Sequence, residues 1–184
     1  MPARVADAAL TESEVRNGFE QHTPNAARMS ATRELDAIDR KLLGELQRDA
    51  SLSHADLAER VGASTASCWR RIRALETSGV LGRHVRLVDA TLVGRRVHVL
   101  CHIRMKSHTA EATEAFESFV ARRDEIIECY SMSGDWDYLL RILVADVEDY
   151  NRFLMRTVLR HPSVATGSSH FALAQVKYTT AVPI

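Results

Sequence analysis

From Leu35 onward the apolar residues follow two different periods. In LDAIDRKLLGELQRD, Ile38, Leu42, Leu43 and Leu46 recur at three- and four-residue steps, which predicts one face of a helix. Asp36 is placed to cap its start, and Asp39 lies near the positive end of its dipole. In SLSHADLAERVG, Ser53 is an N-cap with Asp56 three residues on, close to a capping box. Leu57 and Val61 point inward, and Gly62 supplies the stop. Only Gly62 and Ala63 separate this helix from STASCWRRIRALETSG, where Cys68, Trp69, Ile72 and Leu75 predict a single apolar stripe and Gly79 closes the helix. VLGRHVRLVDATLVG then alternates around basic residues, as a small hairpin does. Three short helices with a tight turn before the third, followed by a basic hairpin, predict a winged helix-turn-helix over residues 35–90.

After a linker at 91–96 the period changes to two. In RRVHVLCHIRMK, Val97, Val99, Cys101, Ile103 and Met105 share one face of a strand, and His98, Leu100, His102, Arg104 and Lys106 the other. HTAEATEAFESFVARRDE is helical, with Ala112, Ala115, Phe116 and Phe119 toward a core. IIECYSM and DYLLRILVA are strands, the second alternating Tyr138, Leu140, Ile142 and Val144 with Asp137, Leu139, Arg141 and Leu143. Asp146 caps VEDYNRFLMRTVLRH, Asp149 falls at N3, and Pro162 prevents continuation. VATGSSHFALAQVKYTT reads as a last strand. The order over 97–184 is β-α-β-β-α-β, a ferredoxin-like arrangement, so the whole chain is of α+β class. Two helices cover one face of such a sheet. The other face, carrying Leu100, Leu139 and Leu143, is too apolar for water and predicts pairing with a second copy.

Composition narrows the partners. Hydrophobic residues make up 46% and charged residues 26% of the 184, ordinary globular usage. No apolar run approaches a membrane span, and the N-terminus is a poor secretory signal. Three widely spaced cysteines, Cys68, Cys101 and Cys129, point to reduced thiols in a cytoplasm, with neither a disulfide framework nor zinc-ligand spacing. Residues 1–34 lack periodicity and read as a disordered extension. Met29, just ahead of the first strong pattern, raises the hypothesis that translation starts there; detecting the longer form by intact mass would sink it. The net charge is zero, yet between Arg60 and Val88 six arginines face one acid, Glu76, while residues 97–184 hold nine bases and eleven acids. The positive charge is therefore concentrated on the helix-turn-helix half.

On the third helix, Ser64, Thr65, Ser67, Arg70 and Arg71 lie away from the apolar stripe or at the helix start. Small hydroxyl residues permit close approach to a groove, and arginine reads guanine edges or holds phosphates. Arg83 and Arg86, with His84, would reach phosphates from the hairpin. A solvated helix face without a partner is the plain alternative, and Cys68 reads as a packed small residue.

The stretch SGDWDYLL, residues 133–140, sets two carboxylates and a tryptophan between strands. Asp135, Asp137 and His170 could in principle do acid–base work. Against catalysis stand the lack of a nucleophile dyad or phosphate loop and the lack of metal-ligand spacing among the histidines. A plain hairpin with solvated aspartates is one alternative. A ligand loop is the other: amides around Gly134 suit a carboxylate, Asp137 (rather than Asp135) suits an ammonium, and Trp136 and Leu139 offer apolar contact.

LDAIDRKLLGELQRDASLSHADLAERVGASTASCWRRIRALETSGVL resembles the DNA-binding domain of the Lrp/AsnC family of bacterial and archaeal regulators. SGDWDYLLRILVAD and HFALAQVKYTT resemble that family's RAM (regulation of amino-acid metabolism) domain, and the likeness runs from about Leu35 to Ile184. STASCWRRIRALE and VKYTTAVPI are most similar to a branch containing a cysteine-responsive detoxification regulator. The resemblance implies a sequence-specific, nucleoid-associated regulator of double-stranded DNA with no cofactor beyond an amino-acid effector. It implies dimers that assemble into tetramers or octamers. It places effector contacts in the loop Met132, Ser133, Gly134, Asp135, Trp136, Asp137, Tyr138 and Leu139, and in a neighbour's last strand at Thr166, Ser168 and Ser169. A small-molecule-binding or protein-interaction module of ferredoxin-like fold that does not use DNA is the alternative.

Overall fold

The computed structural model describes residues 34–184, so the expectations for the extension and Met29 lie outside it. Two compact units divide the chain. One holds the described residues up to Val85 together with Thr179–Ile184, and the other spans Arg86–Tyr178.

Among the described residues the first unit is built on three helices, α1 Ala37–Arg48, α2 His54–Val61 and α3 Thr65–Thr77. Their starts are fixed by short polar side chains that satisfy the orphan amides of the first turn. The Asp36 carboxylate accepts from the Ile38 and Asp39 N–H groups. Ser53 and Asp56 complete a reciprocal capping box, and Ser64 accepts from Ser67. Gly62, at φ 72°, ends α2 in a left-handed turn that favours glycine and sends the chain into α3. Leu42, Leu57, Ala58, Val61, Cys68 and Ile72 form the core, with Ile38, Leu46 and Leu81 packed at its edge. The last residues of the chain also join this unit. The Gln47 side chain donates to the Val182 carbonyl and accepts from the Val182 N–H, a two-point clasp on α1.

The second unit is an antiparallel sheet in the order β2-β3-β1-β4, with β1 Val97–Met105, β2 Ile126–Ser131, β3 Tyr138–Val144 and β4 Val164–Phe171. Helix α4 Ala110–Val120, and α5 Val147–Phe153 continued by a π-helical turn Leu154–Val158, supply the rest. This is the expected ferredoxin-like order. Val99, Cys101, Ile103 and Met105 of β1 and Tyr138, Leu140, Ile142 and Val144 of β3 are all buried, and they pack with Phe116, Phe119, Tyr150, Phe153 and Val158 from the helices. Val120 joins that core, whereas Ala115 is exposed.

Three expectations fail for physical reasons. The hairpin anticipated over 80–94 does not form: residues 80–94 contain no strand, and the segment turns at 90–94, where Asp89 accepts from the Thr91 and Leu92 amides. The residues after that turn enter β1, whose two edges are already taken by β3 and β4, so no strand remains to pair back. The last strand stops at Phe171, because its partner runs out there: Phe171 faces Val99, and Ala172 donates to His98 at the strand's beginning. Finally, Trp69 is 54% exposed rather than part of the α3 stripe.

Candidate functional site

On α3, residues Cys68, Ile72 and Leu75 are buried, which orients the rest of the helix. Thr65, Ala66, Trp69, Arg70 and Arg73 are exposed, and Ser67 is half-buried. Ser64 is committed to the cap. Arg71 is turned inward. One of its terminal nitrogens donates to Asp36 Oδ2 at 2.6 Å and to Asp39 Oδ1 at 2.8 Å. Asp39 is only 3% exposed, so this pair locks α3 to α1. The Asp36 carboxyl is held below the usual carboxylate range by the Asp39 amide and by Arg71, and Arg71 is itself pushed up by the two carboxylates. The arginine left free on α3 to meet a partner is thus Arg70, with Arg73 one turn on in an exposed pair with Glu76. Arg83 and Arg86 are both exposed on the strandless segment.

In the second unit, strand parity decides which candidates share a face. Register pairs Leu139 with His102, Ser168 with His102, Thr166 with Arg104 and His170 with Leu100, so all of these lie on the sheet face away from the helices. Ser169 pairs with Cys101 on the opposite face, where its hydroxyl bonds the Tyr150 hydroxyl. Tyr138 is likewise in the core, its ring 4.8 Å from Phe116 and its hydroxyl donating to Glu117. Neither side chain therefore lies on the face that holds Thr166, Ser168 and Leu139.

The loop joining β2 to β3 is pinned to three β1 residues, Ile103, Arg104 and Met105, and to His108 beyond it. The Asp137 N–H donates to the Ile103 carbonyl, and Asp137 Oδ2 accepts from the Met105 N–H at 2.6 Å. Its other oxygen meets His108 Nε2 at 2.8 Å. The Asp137 carboxyl accordingly sits below its ordinary range, first because of the Met105 amide and then because of His108. Arg104, which motif reasoning passed over, donates through Nε and Nη2 to the Asp135 carbonyl at 3.0 and 2.8 Å. Its guanidinium lies 5.2 Å from the Trp136 ring. The ring of His102 is 5.7 Å from Trp136 and 5.2 Å from His170, and its buried Nδ1 has no hydrogen-bond partner among the described residues. Gly134, at φ 108°, makes the turn that only glycine adopts readily. Met132, Ser133, Gly134 and Asp135 are exposed, and Trp136 and Leu139 are half-buried. Outward parity on β1 was the one signal for Arg104, since it shares a face with His102.

Among the described residues no group of three or more His, Cys, Asp and Glu is placed to hold a metal ion, and no helix is long and apolar enough to cross a membrane.

A helix-turn-helix with an exposed arginine-bearing third helix, together with a separate four-stranded unit bearing a polar loop, defines a DNA-binding regulator with a ligand-binding domain. Residues 35–76 match the AsnC-type helix-turn-helix domain, and residues 98–182 match the Lrp/AsnC ligand binding domain. The chain is 39% identical over 150 residues to the DNA-binding transcriptional activator DecR of Escherichia coli K12, covering 82% of this chain and 99% of that one. An AsnC family transcriptional regulator from Agrobacterium tumefaciens superposes with a TM-score of 0.77 at 44% identity, over 81% of this chain and 97% of that one. A Neisseria meningitidis transcriptional regulator solved with L-Met superposes with a TM-score of 0.78 at 30% identity, over 82% and 97%. The chain belongs to the Lrp/AsnC family and is a DNA-binding transcription regulator, not an enzyme. The acid–base reading of Asp135, Asp137 and His170 and the reading without DNA are accordingly not favoured.

Proposed function

We propose that the chain reads an operator through α3 and adjusts that reading to a small amino acid held beside the loop Met132–Leu139. The observation that carries the ligand half is Arg104. Its guanidinium is fixed over Trp136 by the Asp135 carbonyl, on the face that Thr166 and Ser168 share. A cation beside an aromatic wall and two hydroxyls suits an α-carboxylate with an apolar side chain. The amino-acid complex of the Neisseria relative supports the ligand class. The likeness to the cysteine-responsive branch puts cysteine first among candidates.

On the DNA side, Arg70, Thr65 and Ser67 face or border the groove, Arg83 and Arg86 meet phosphates, and Ser64 and Arg71 hold the helix that does so. Two copies of α3 about one helical turn apart make the operator an imperfect palindrome. The second copy is implied by apolar surface the single chain leaves in water: Leu100 on the open sheet face, Val85, Leu87 and Val88 before the sheet, and Leu173 and Val176 after it. Dimers assemble further into tetramers or octamers. The cytoplasm, at the nucleoid, is the compartment this work requires.

Calorimetry with the twenty amino acids, cysteine, the branched-chain set, proline and methionine first, tests the ligand; heats indistinguishable from dilution for all of them overturn it. Anisotropy on labelled DNA from upstream of the chain's own gene tests the partner. Affinity falls steeply between 50 and 200 mM salt, by roughly a thousandfold if about six phosphates are neutralised per assembly. A flat salt response would remove the phosphate contacts assigned to Arg83 and Arg86.

A further inference from the structure

We infer that Trp69 is a base-reading residue of α3, contacting the 5-methyl group of a thymine in the major groove. The inference rests on the DNA-binding role of α3 and adds a specificity determinant to it. A tryptophan is costly to leave in water, yet this one is 54% exposed on a helix whose neighbouring residues Cys68, Ile72 and Leu75 are buried. It lies on the second turn, in a stripe with Thr65 one turn before it and Arg73 one turn after it, spaced i, i+4, i+8. Arg70 is its chain neighbour and is exposed. Along α3 itself the exposed charges flanking the indole are thus basic up to Glu76, and that acid is paired with Arg73. The positive end of the helix dipole, one turn away at the Ser64 cap, adds the same sign.

Such a surface, apolar at its centre and cationic around it, matches a groove lined by phosphates and floored by base edges. An acidic or apolar protein face would match the charge or the ring, but the small Thr65 and Ala66 at the helix start leave room for a duplex to approach the first two turns, where recognition helices meet bases. The indole cannot make the bidentate contacts by which arginine reads guanine. What it offers is a broad apolar face, suited to the thymine methyl, and one N–H donor. Arg71, on the far side of the helix, holds this face outward through Asp36 and Asp39.

The test uses the full chain and random-sequence duplexes, selected in parallel by wild type, Trp69→Ala and Trp69→Phe. Expected is loss of a thymine preference at one position per half-site in Trp69→Ala, with about tenfold weaker binding to the wild-type winner and little change on poly(dI-dC). Trp69→Phe retains part of the preference. Replacing that thymine by deoxyuridine weakens wild type by a similar factor and leaves Trp69→Ala unaffected. Identical selected sequences in all three proteins overturn the inference, as does equal weakening on every duplex. A change in molar mass by light scattering with base preference intact overturns it too, because Trp69 then covers another copy. Failure of wild type to enrich any duplex overturns the DNA reading beneath it as well.

Discussion

Arg71→Ala lowers the unfolding midpoint of the DNA-binding unit, whereas its neighbour Arg70→Ala leaves that midpoint in place and weakens operator binding. The two side chains are adjacent in sequence and point to different tasks. Arg71 reaches Asp36 and Asp39 on α1, and Asp39 is 3% exposed. Removing the guanidinium takes two hydrogen bonds to α1 away, one of them on that nearly buried carboxylate. Breaking a fully buried pair costs ~3–5 kcal/mol; because the Arg71 side chain is a quarter exposed, about 2 kcal/mol is expected for its bond to Asp39. In a unit this small that moves the midpoint by roughly 10 °C. Arg70 is exposed, so its loss costs little stability and appears as weaker DNA binding, by roughly ten- to a hundredfold if it makes a bidentate base contact. Calorimetric melting and operator titration of both variants check the pair. Equal melting of the two would remove the α1–α3 lock, and unchanged DNA affinity in Arg70→Ala would remove the recognition assignment. The junction also has an acid signature. Asp36 is held below its ordinary range in the folded chain, so its stabilisation is fully present above the unfolded value near 4 and is lost as pH falls through the lower folded value.

The inward turn of Arg71 toward α1 shows where sequence patterning stops. Local chemistry was legible: Asp36, Ser53 with Asp56, Gly62 and Asp146 with Asp149 all occupy the caps their types favour, because a cap depends on residues within one turn. The order of strands and helices along the chain followed from the change of period, and β1 buries Val99, Cys101, Ile103 and Met105, four of the five residues its odd positions named, with Val97 half-buried at its start. Arg71 needed a partner 35 residues away, and no local period reports that. Trp69 lies beside the stripe of a helix, where a 100° step does not say whether an edge residue is covered. The hairpin over 80–94 had the right alternation but no free strand to join. Tyr138 and Ser169 are a different case. Parity along β3 and β4 puts both toward the helices, and the family likeness alone drew them into the ligand set.

Asp137→Ala abolishes the response to amino acid, and Asp137→Asn restores most of it. In the sequence this aspartate looked like the partner of a ligand ammonium. Its two carboxylate oxygens are instead occupied, one by the Met105 amide at 2.6 Å and the other by His108 at 2.8 Å. Its own amide and carbonyl bind Ile103 and Met132. The residue therefore ties the loop to the end of β1, and it sets where Trp136 and the Asp135 carbonyl meet Arg104. Alanine removes the acceptor and leaves the half-buried Met105 amide unsatisfied, at a cost of about 1–2 kcal/mol, with the loop displaced from Arg104. Asparagine keeps an oxygen for that amide and a donor for His108, so the loop geometry survives without the charge. Ligand calorimetry and a melting curve on both variants separate the two roles. Response recovered in Asp137→Asn assigns Asp137 to positioning and leaves Arg104 as the charged group that meets the ligand. Response lost in Asp137→Asn with an unchanged melting curve would return the negative charge to the ligand's ammonium, as first expected. Acid supplies an independent check on the positioning role. Because the Asp137 carboxyl is depressed in the folded chain, its hold on the loop is complete above the unfolded value near 4 and fades as pH falls through the lower folded value, so wild type loses ligand affinity over that window while Asp137→Asn does not.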